Sequence, residues 1–274
     1  MKKFLKYSSI IALCLLLAML SLSLFGCQTN INVNKRRRIN SVNHRGFSDA
    51  PENTLSAFRM SKEMGFDKVE CDLNFTKDNY PVLLHDCSVN RTSNGRGRIS
   101  EMTLEDVRKL DFGSWKGGSY IGERIPTFEE FVDLCLELDL YPYIEIKCGL
   151  TNEQARILAR IVDKANIRVT WISFDRKVLS TMAQLCPDSR VGLLTTLIAE
   201  DNLKFLAGLS NVVDVFIDCK YYALTEPDIE LCKKHKIPLE VWSVNSEVII
   251  ANINPYITGI TSDYINAQNV FNSL

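Results

Sequence analysis

The chain has 274 residues, a formal net charge of -1 and 46% hydrophobic residues. That near-neutral balance, with no sustained basic stripe, removes the electrostatic ground for nucleic acid as a partner. Roughly 240 residues remain beyond the N-terminal segment, enough for one barrel-sized domain with a real core.

Residues 1–27 read as a targeting signal. Lys2, Lys3 and Lys6 give a charged start, residues 10–20 an apolar run, and Ser21-Leu22-Ser23-Leu24-Phe25-Gly26-Cys27 follows. Leu24 three residues before Cys27, with Gly26 directly before it, resembles a bacterial lipobox, although Phe25 departs from the small residue usual there. The resemblance implies cleavage before Cys27, lipidation of its thiol and a place on the extracytoplasmic side of the cell membrane. An uncleaved anchor or an ordinary secretory peptide is the alternative. Residues 28–38 are polar and end in Lys35-Arg36-Arg37-Arg38, a tether whose basic end adds affinity for anionic headgroups if it lies beside a membrane. Of nine cysteines, Cys14 and Cys27 fall in this segment. The rest lack the spacing of a disulfide framework or a zinc site and read as small apolar core residues.

From residue 39 the pattern is strand, turn, helix, repeated. Strand candidates are 39–43, 68–75, 81–86, 141–147, 169–174, 190–194, 212–219, 238–245 and 259–264; helices are expected at 54–64, 127–138, 152–164, 176–185, 199–206, 228–235 and 248–253. Such alternation predicts a parallel sheet with crossover helices. The segment 76–81 is too short for a parallel crossover, so 81–86 folds back on 68–75 as a hairpin. A turn centred on Asp78-Asn79 would set His85 opposite Asp72. Eight parallel strands remain, the number for a TIM-type (β/α)8 barrel. Residues 87–124, with a short helix at 103–110, form a Gly- and Ser-rich insertion after the hairpin, long enough to serve as a functional cap or lid. The domain is expected to span 39–274.

The chemistry is expected at the carboxyl ends of the strands. Glu70 and Asp72, two apart on one strand, project from a single face, and Glu145 and Lys147 repeat the arrangement. Three carboxylates in one barrel mouth repel each other unless a cation sits among them, and oxygen-only ligands suit Ca²⁺ or Mg²⁺. An ordinary ion pair of Lys147 with Glu145 or Asp72 is the plainer reading. His44 and His85 each end a strand, and two histidines beside a metal would form a base and acid pair for phosphoryl transfer. Arg45 and Lys147 supply positive charge, arginine being able to grip two phosphate oxygens at once, and rim ion pairs are the alternative reading. Trp242 and Asn245 would cover the substrate's apolar edge and donate a hydrogen bond, while His235, within Lys233-Lys234-His235-Lys236, reads as a solvated helix end.

Together these residues resemble the glycerophosphodiester phosphodiesterase family. The likeness runs through His44-Arg45-Gly46, Pro51-Glu52-Asn53-Thr54, Glu70-Cys71-Asp72, His85-Asp86, Arg91-Thr92, Gly122-Glu123-Arg124-Ile125-Pro126-Thr127, Ile144-Glu145-Ile146-Lys147, Ser173-Phe174, Trp242-Ser243-Val244-Asn245 and Thr261-Ser262-Asp263. It implies a divalent metal on Glu70, Asp72 and Glu145, acid/base roles for His44 and His85, phosphate contacts from Arg45 and Lys147, and a capping insertion. The substrate it implies is a small glycerophosphodiester or a glycerol phosphate polymer, cleaved to glycerol 3-phosphate and an alcohol. Ser243 in place of a common threonine, and the extra serine in Thr261-Ser262-Asp263, depart from the family pattern and blur the role of Asp263. A phospholipase of the phosphatidylinositol-specific C or D type on the same barrel, or a surface protein that binds phosphodiesters without cleaving them, are the alternative functions.

Overall fold

The computed structural model describes residues 37–147 and 149–274. The signal, Cys27 and most of the 28–38 tether lie outside the described residues. Nine strands form one sheet: β1 (Asn40–Asn43), β2 (Lys68–Phe75), β3 (Pro81–Leu83), β4 (Tyr141–Ile146), β5 (Thr170–Ser173), β6 (Arg190–Thr195), β7 (Asp214–Lys220), β8 (Leu239–Trp242) and β9 (Ile257–Ser262). Eight of them run parallel in the ring β1-β2-β4-β5-β6-β7-β8-β9, which closes where β1 pairs with both β2 and β9. Among the strands β3 pairs only with β2, antiparallel and outside the ring, and its Val82 makes a further antiparallel bridge with Thr127.

The helices α1 (Leu55–Glu63), α2 (Leu104–Val107), α3 (Phe128–Leu138), α4 (Asn152–Ala165), α5 (Arg176–Leu185), α6 (Glu200–Leu209), α7 (Glu226–His235), α8 (Glu247–Ala251) and α9 (Ala267–Ser273) lie between and after the strands. Local chemistry starts most of them. The hydroxyls of Thr54, Thr127 and Thr151 each accept a backbone N–H of the first turn, and Glu130 and Gln154 complete capping boxes on the latter two. Sequence periodicity gave no sign of α9, which is short and polar. Asn266 caps it, and tertiary bonds hold it: Ala267 N–H donates to Ser41 Oγ at 2.8 Å, and Gln268 Oε1 accepts from Ile39 N–H at 3.1 Å.

Strand alternation divides the interior in two. Ile144, Ile146, Val215, Ile217 and Cys219 face the helices in the large outer core, while Val42, Tyr143, Ile172, Leu194 and Phe216 meet inside the barrel. At the floor, Glu240 accepts from Asn40 at 2.9 Å and from Arg190 and Tyr143 at 3.2 Å, so the buried charge is paired. Gly192 is required there: a Cβ would lie 2.3 Å from the Phe216 ring.

The hairpin register differs from expectation by one residue. Leu73 faces Leu83 and Phe75 faces Pro81, so Asp72 is opposite Leu84, whose N–H donates to Asp72 O at 3.0 Å. The turn is odd-numbered, centred on Asp78. Thr76 N–H donates to Tyr80 O, Thr76 Oγ1 to Asp78 Oδ1, and Asn79 is left-handed at φ 64°. His85 therefore lies beyond the paired strand.

The insertion carries its own small apolar cluster, in which Val89, Ile99, Val107 and Phe112 close against Val82, Leu84 and Ile125. Asp111 organises its loop by accepting the N–H groups of Gly113, Ser114 and Gly122 at 2.7 to 2.8 Å. Ser56 of α1 donates to Glu123 at 2.8 Å, and Lys116 donates to Ser48 O. These contacts seat the insertion against the β1–α1 segment.

Candidate active site

The carboxyl ends of the strands enclose a cavity of about 270 Å³ lined by His44, Arg45, Glu70, His85, Glu145, Lys147, Ile172, Phe174, Leu194, Asp218, Trp242, Ser243 and Thr261. One side is charged. The other is apolar except for Asp218, Ser243 and Thr261.

Arg45 and Gly46 leave β1 in consecutive left-handed conformations, φ 55° and 81°. A Cβ on Gly46 would lie 2.5 Å from that of Ala57, so glycine is what lets α1 pack this close. The turn aims Arg45 N–H at Glu70 Oε2, 2.9 Å away. Asn53, also left-handed, donates to Asp72 Oδ2 at 2.7 Å and accepts from Asp72 N–H at 3.0 Å. Glu52 meets the Arg45 guanidinium at 3.1 Å. The segment Pro51-Glu52-Asn53-Thr54 thus orients an arginine, fixes a carboxylate and caps a helix in successive residues.

Glu70, Asp72 and Glu145 are buried, each offering an oxygen within 4.8 Å of the others. Lys147 Nζ lies 3.0 Å from Asp72 Oδ1 and 2.7 Å from Glu145 Oε2, and Arg45 Nε lies 3.1 Å from Asp72 Oδ2. The plain ion pair expected for Lys147 is therefore present, alongside the trio. It does not saturate the site, since Glu70 Oε1 is buried with no hydrogen-bond partner. Burial first, then the charge of Asp72, raises the Glu70 pKa; Glu145 is raised by the same two effects against the pull of Lys147. Asp72 is equally buried, but Lys147 and Arg45 outweigh that and lower it. The orphaned oxygen and the oxygen-only donor set are compatible with a divalent cation at the trio.

Each histidine is held by a carboxylate through Nδ1: His44 on Asp263 Oδ1 and His85 on Asp86 Oδ1, both at 2.7 Å. That leaves Nε2 of each ring for the cavity. Their pKa values move apart. Burial opposes the charged form of His44, but the Asp263 hydrogen bond and the charges of Glu70 and Asp72 prevail and raise it. For His85 burial prevails over Asp72 and Asp86, and the value is lowered.

Trp242 lines the cavity, its Nε1 donating to Asp218 O at 3.3 Å and its ring edge-on to Phe174 at 6.1 Å. Asn245 is turned elsewhere. Its amide nitrogen donates to Asp263 Oδ2, and its Oδ1 accepts from Ser262 Oγ at 2.7 Å and Asp263 N–H at 2.9 Å. Those bonds place it behind Asp263 rather than among the residues that line the cavity. His235 meets Glu200 Oε1 at 2.9 Å at the end of α7, remote from these residues in the ring.

Sequence reading assigned no role to four further residues. Asp263 and Asp86 are the partners of the two histidines. Arg91, from the insertion, joins Glu52 at 2.6 and 2.8 Å to Asp86 at 2.8 Å, completing a chain from the insertion to Arg45 and His85. Asp218 faces the cavity from β7. The signal for Asp218 was available: it is the polar residue two after Phe216, on the same face of a strand whose other face is Val215, Ile217 and Cys219.

Comparison with known proteins agrees with this geometry. Residues 44–267 match the glycerophosphoryl diester phosphodiesterase family. The chain is 33% identical to a glycerophosphodiester phosphodiesterase of Caldanaerobacter subterraneus subsp. tengcongensis, covering 81% of this chain and 93% of that protein. A Bacillus subtilis enzyme of the same name is 26% identical, covering 86% of both. Among solved structures, a phosphodiesterase of Oleispira antarctica in complex with the product sn-glycerol 3-phosphate superimposes with a TM-score of 0.77 at 25% identity, covering 84% of this chain and 94% of that one. With the match extending from the histidine at the end of β1 to the start of α9, the chain belongs to the glycerophosphoryl diester phosphodiesterase family.

Proposed function

We propose that this protein hydrolyses glycerophosphodiesters to sn-glycerol 3-phosphate and an alcohol, with a divalent metal, Ca²⁺ or Mg²⁺, held by Glu70, Asp72 and Glu145. The observation that carries the reading is the pair of carboxylate-held histidines flanking a buried oxygen trio with an orphaned atom, beside Arg45 and Lys147. The bound ion would neutralise charge on the phosphoryl oxygens. Arg45 and Lys147 grip the phosphate. His44 takes the proton of the attacking water as its oxygen bonds to phosphorus, and His85 gives a proton to the alcohol oxygen as the phosphorus–oxygen bond breaks. Asp263 and Asp86 hold the two rings, and Asn245 holds Asp263. Trp242, with Phe174, forms the apolar wall against which the esterified part of the substrate rests. The product seen in the Oleispira antarctica phosphodiesterase supports a substrate of this class.

Release of sn-glycerol 3-phosphate from glycerophosphocholine tests the reading. His44→Ala and His85→Ala should each cost about 10²–10⁴-fold in kcat/KM with an unchanged melting temperature. Near-normal turnover by either folded variant would overturn the acid/base assignment. Excess EDTA should abolish turnover and added Ca²⁺ or Mg²⁺ restore it, whereas full activity in metal-free protein would rule out the trio's role. On the sequence of residues 1–38, we further propose that lipid on Cys27 tethers the domain to the extracytoplasmic face of the cell membrane.

A further inference from the structure

Asp218 has no part in the chemistry above, yet its surroundings are unusual. It sits on β7, which stands across the eight-strand ring from β2, the strand of Glu70 and Asp72. Its side chain is buried at 2% exposure, lines the same cavity, and has one carboxyl oxygen, Oδ1, with no hydrogen-bond partner. On one flank its neighbours are apolar, with Leu194 its register partner on β6 and Ile172 following on β5, and the Trp242 indole is fastened to its backbone carbonyl; on the other its register partner is Glu240 of β8, which is already paired at the floor with Asn40, Tyr143 and Arg190. A buried polar atom left without a partner destabilises the state that contains it. Among the described residues the cation-binding group comprises Glu70, Asp72 and Glu145 without it. A carboxyl in such a wall meets its need when a ligand brings a hydroxyl, which both donates and accepts and so suits it in either protonation state.

We propose that Asp218 is a specificity-determining residue that binds a free hydroxyl of the substrate's glycerol unit on the wall opposite the phosphate. The inference rests on the phosphodiesterase reading only for where the phosphate lies, near Arg45 and Lys147. It divides recognition between two walls: charge fixes the phosphate on the β1, β2 and β4 side, and one hydrogen bond in an apolar surround selects a polyol over a plain alkyl group. Discrimination of this kind is strong because a ligand lacking the hydroxyl leaves the carboxyl buried and unpaired. Burial and the charges of Glu240, Glu145 and Glu70 raise the Asp218 pKa well above the ordinary carboxyl range, which agrees with a group waiting for a neutral partner.

The test compares glycerophosphocholine with propylphosphocholine, which lacks the glycerol hydroxyls. The wild-type protein should prefer the first by at least about tenfold in kcat/KM. Asp218→Leu should lower that preference at least about tenfold, while Asp218→Asn, which keeps the shape and the hydrogen bonding, should retain most of it. The ratio cancels any general loss of activity, and Asp218→Ala replaces the leucine variant if that one fails to fold. No wild-type preference, or an unchanged preference in the leucine or alanine variant, overturns the proposal. If the wild type cleaves neither ester, the proposed function fails, and calorimetric binding of sn-glycerol 3-phosphate against propyl phosphate then decides on Asp218 alone. Tighter binding of the glycerol compound, lost in the leucine or alanine variant, supports the hydroxyl contact; equal affinities in the wild type overturn it.

Discussion

At the residue scale the site rests on pairs in which a carboxylate holds a histidine to which we assign the chemistry. Asp263 is the clearest case, since its hydrogen bond supports the raised pKa of His44 while Asn245, itself held by Ser262, fixes the carboxylate. Asp263→Asn removes a charge that favours imidazolium, so the His44 pKa falls. With the His44 pKa raised and the His85 pKa lowered, the alkaline limb of the kcat/KM profile follows His44 and the acidic limb follows His85. The alkaline limb should therefore move to lower pH in Asp263→Asn, with the acidic limb unmoved. An unmoved alkaline limb would show that Asp263 does not set the His44 pKa. How much of this was legible follows from the same residues. Glu70 with Asp72, and Glu145 with Lys147, could be read because residues two apart on a strand share a face whatever the strand pairs with. The partner of His44 could not, because it lies 219 residues away and only the β1–β9 pairing brings it near.

At the scale of elements the insertion acts through one arginine. None of the residues lining the cavity comes from it; Arg91 instead bridges Glu52, which holds Arg45, and Asp86, which holds His85. Arg91's hydrogen bonds first, against burial, and then that of His85 hold the Asp86 pKa down to about 2 from 3.8. A carboxyl lowered in the fold contributes stability above its unfolded pKa and loses it as the pH falls through the folded value. The bridge's share in holding the insertion should thus fade as the pH drops from about 4 to about 2 in the wild type, whereas in Arg91→Ala the hold should be weaker at neutral pH and this acid dependence reduced, as read by acid-pulse proteolysis of the insertion. The same variant leaves the Asp86 charge unshared, so the His85 limb of the rate profile should move to higher pH, and Arg91→Lys should not restore it because an ammonium lacks the guanidinium's fork. Identical profiles for all three proteins would show that the bridge only supports the fold. The hairpin teaches a similar lesson: the turn residues were recognised, but an odd-numbered turn moved the register by one, which strand periodicity does not report.

For the whole molecule, ring closure brings the first and last elements of the described domain together. Asn43 Nδ2 donates to Ser262 O and Asp263 O, both at 3.0 Å, and α9 bonds back to Ile39 and Ser41. The N-terminal segment joins this domain ahead of β1, and its basic residues and Cys27 carry the proposal of a membrane tether. Cys27→Ala should move the protein from the membrane to the soluble fraction while leaving turnover of glycerophosphocholine unchanged; a variant that stays membrane-bound would point to an uncleaved anchor. By itself the sequence determined the barrel, the hairpin outside it, the carboxylates and histidines at the strand ends and the family they resemble, because alternation, turn residues and short motifs are local properties of the chain. Only the tertiary structure decided that Asp263 and Asp86 hold the histidines, that Asn245 serves Asp263, that Arg91 links the insertion to the site and that Asp218 lines the same cavity as Glu70 and Glu145. Each of those depends on register and on closure of the ring, which are set by contacts between distant segments.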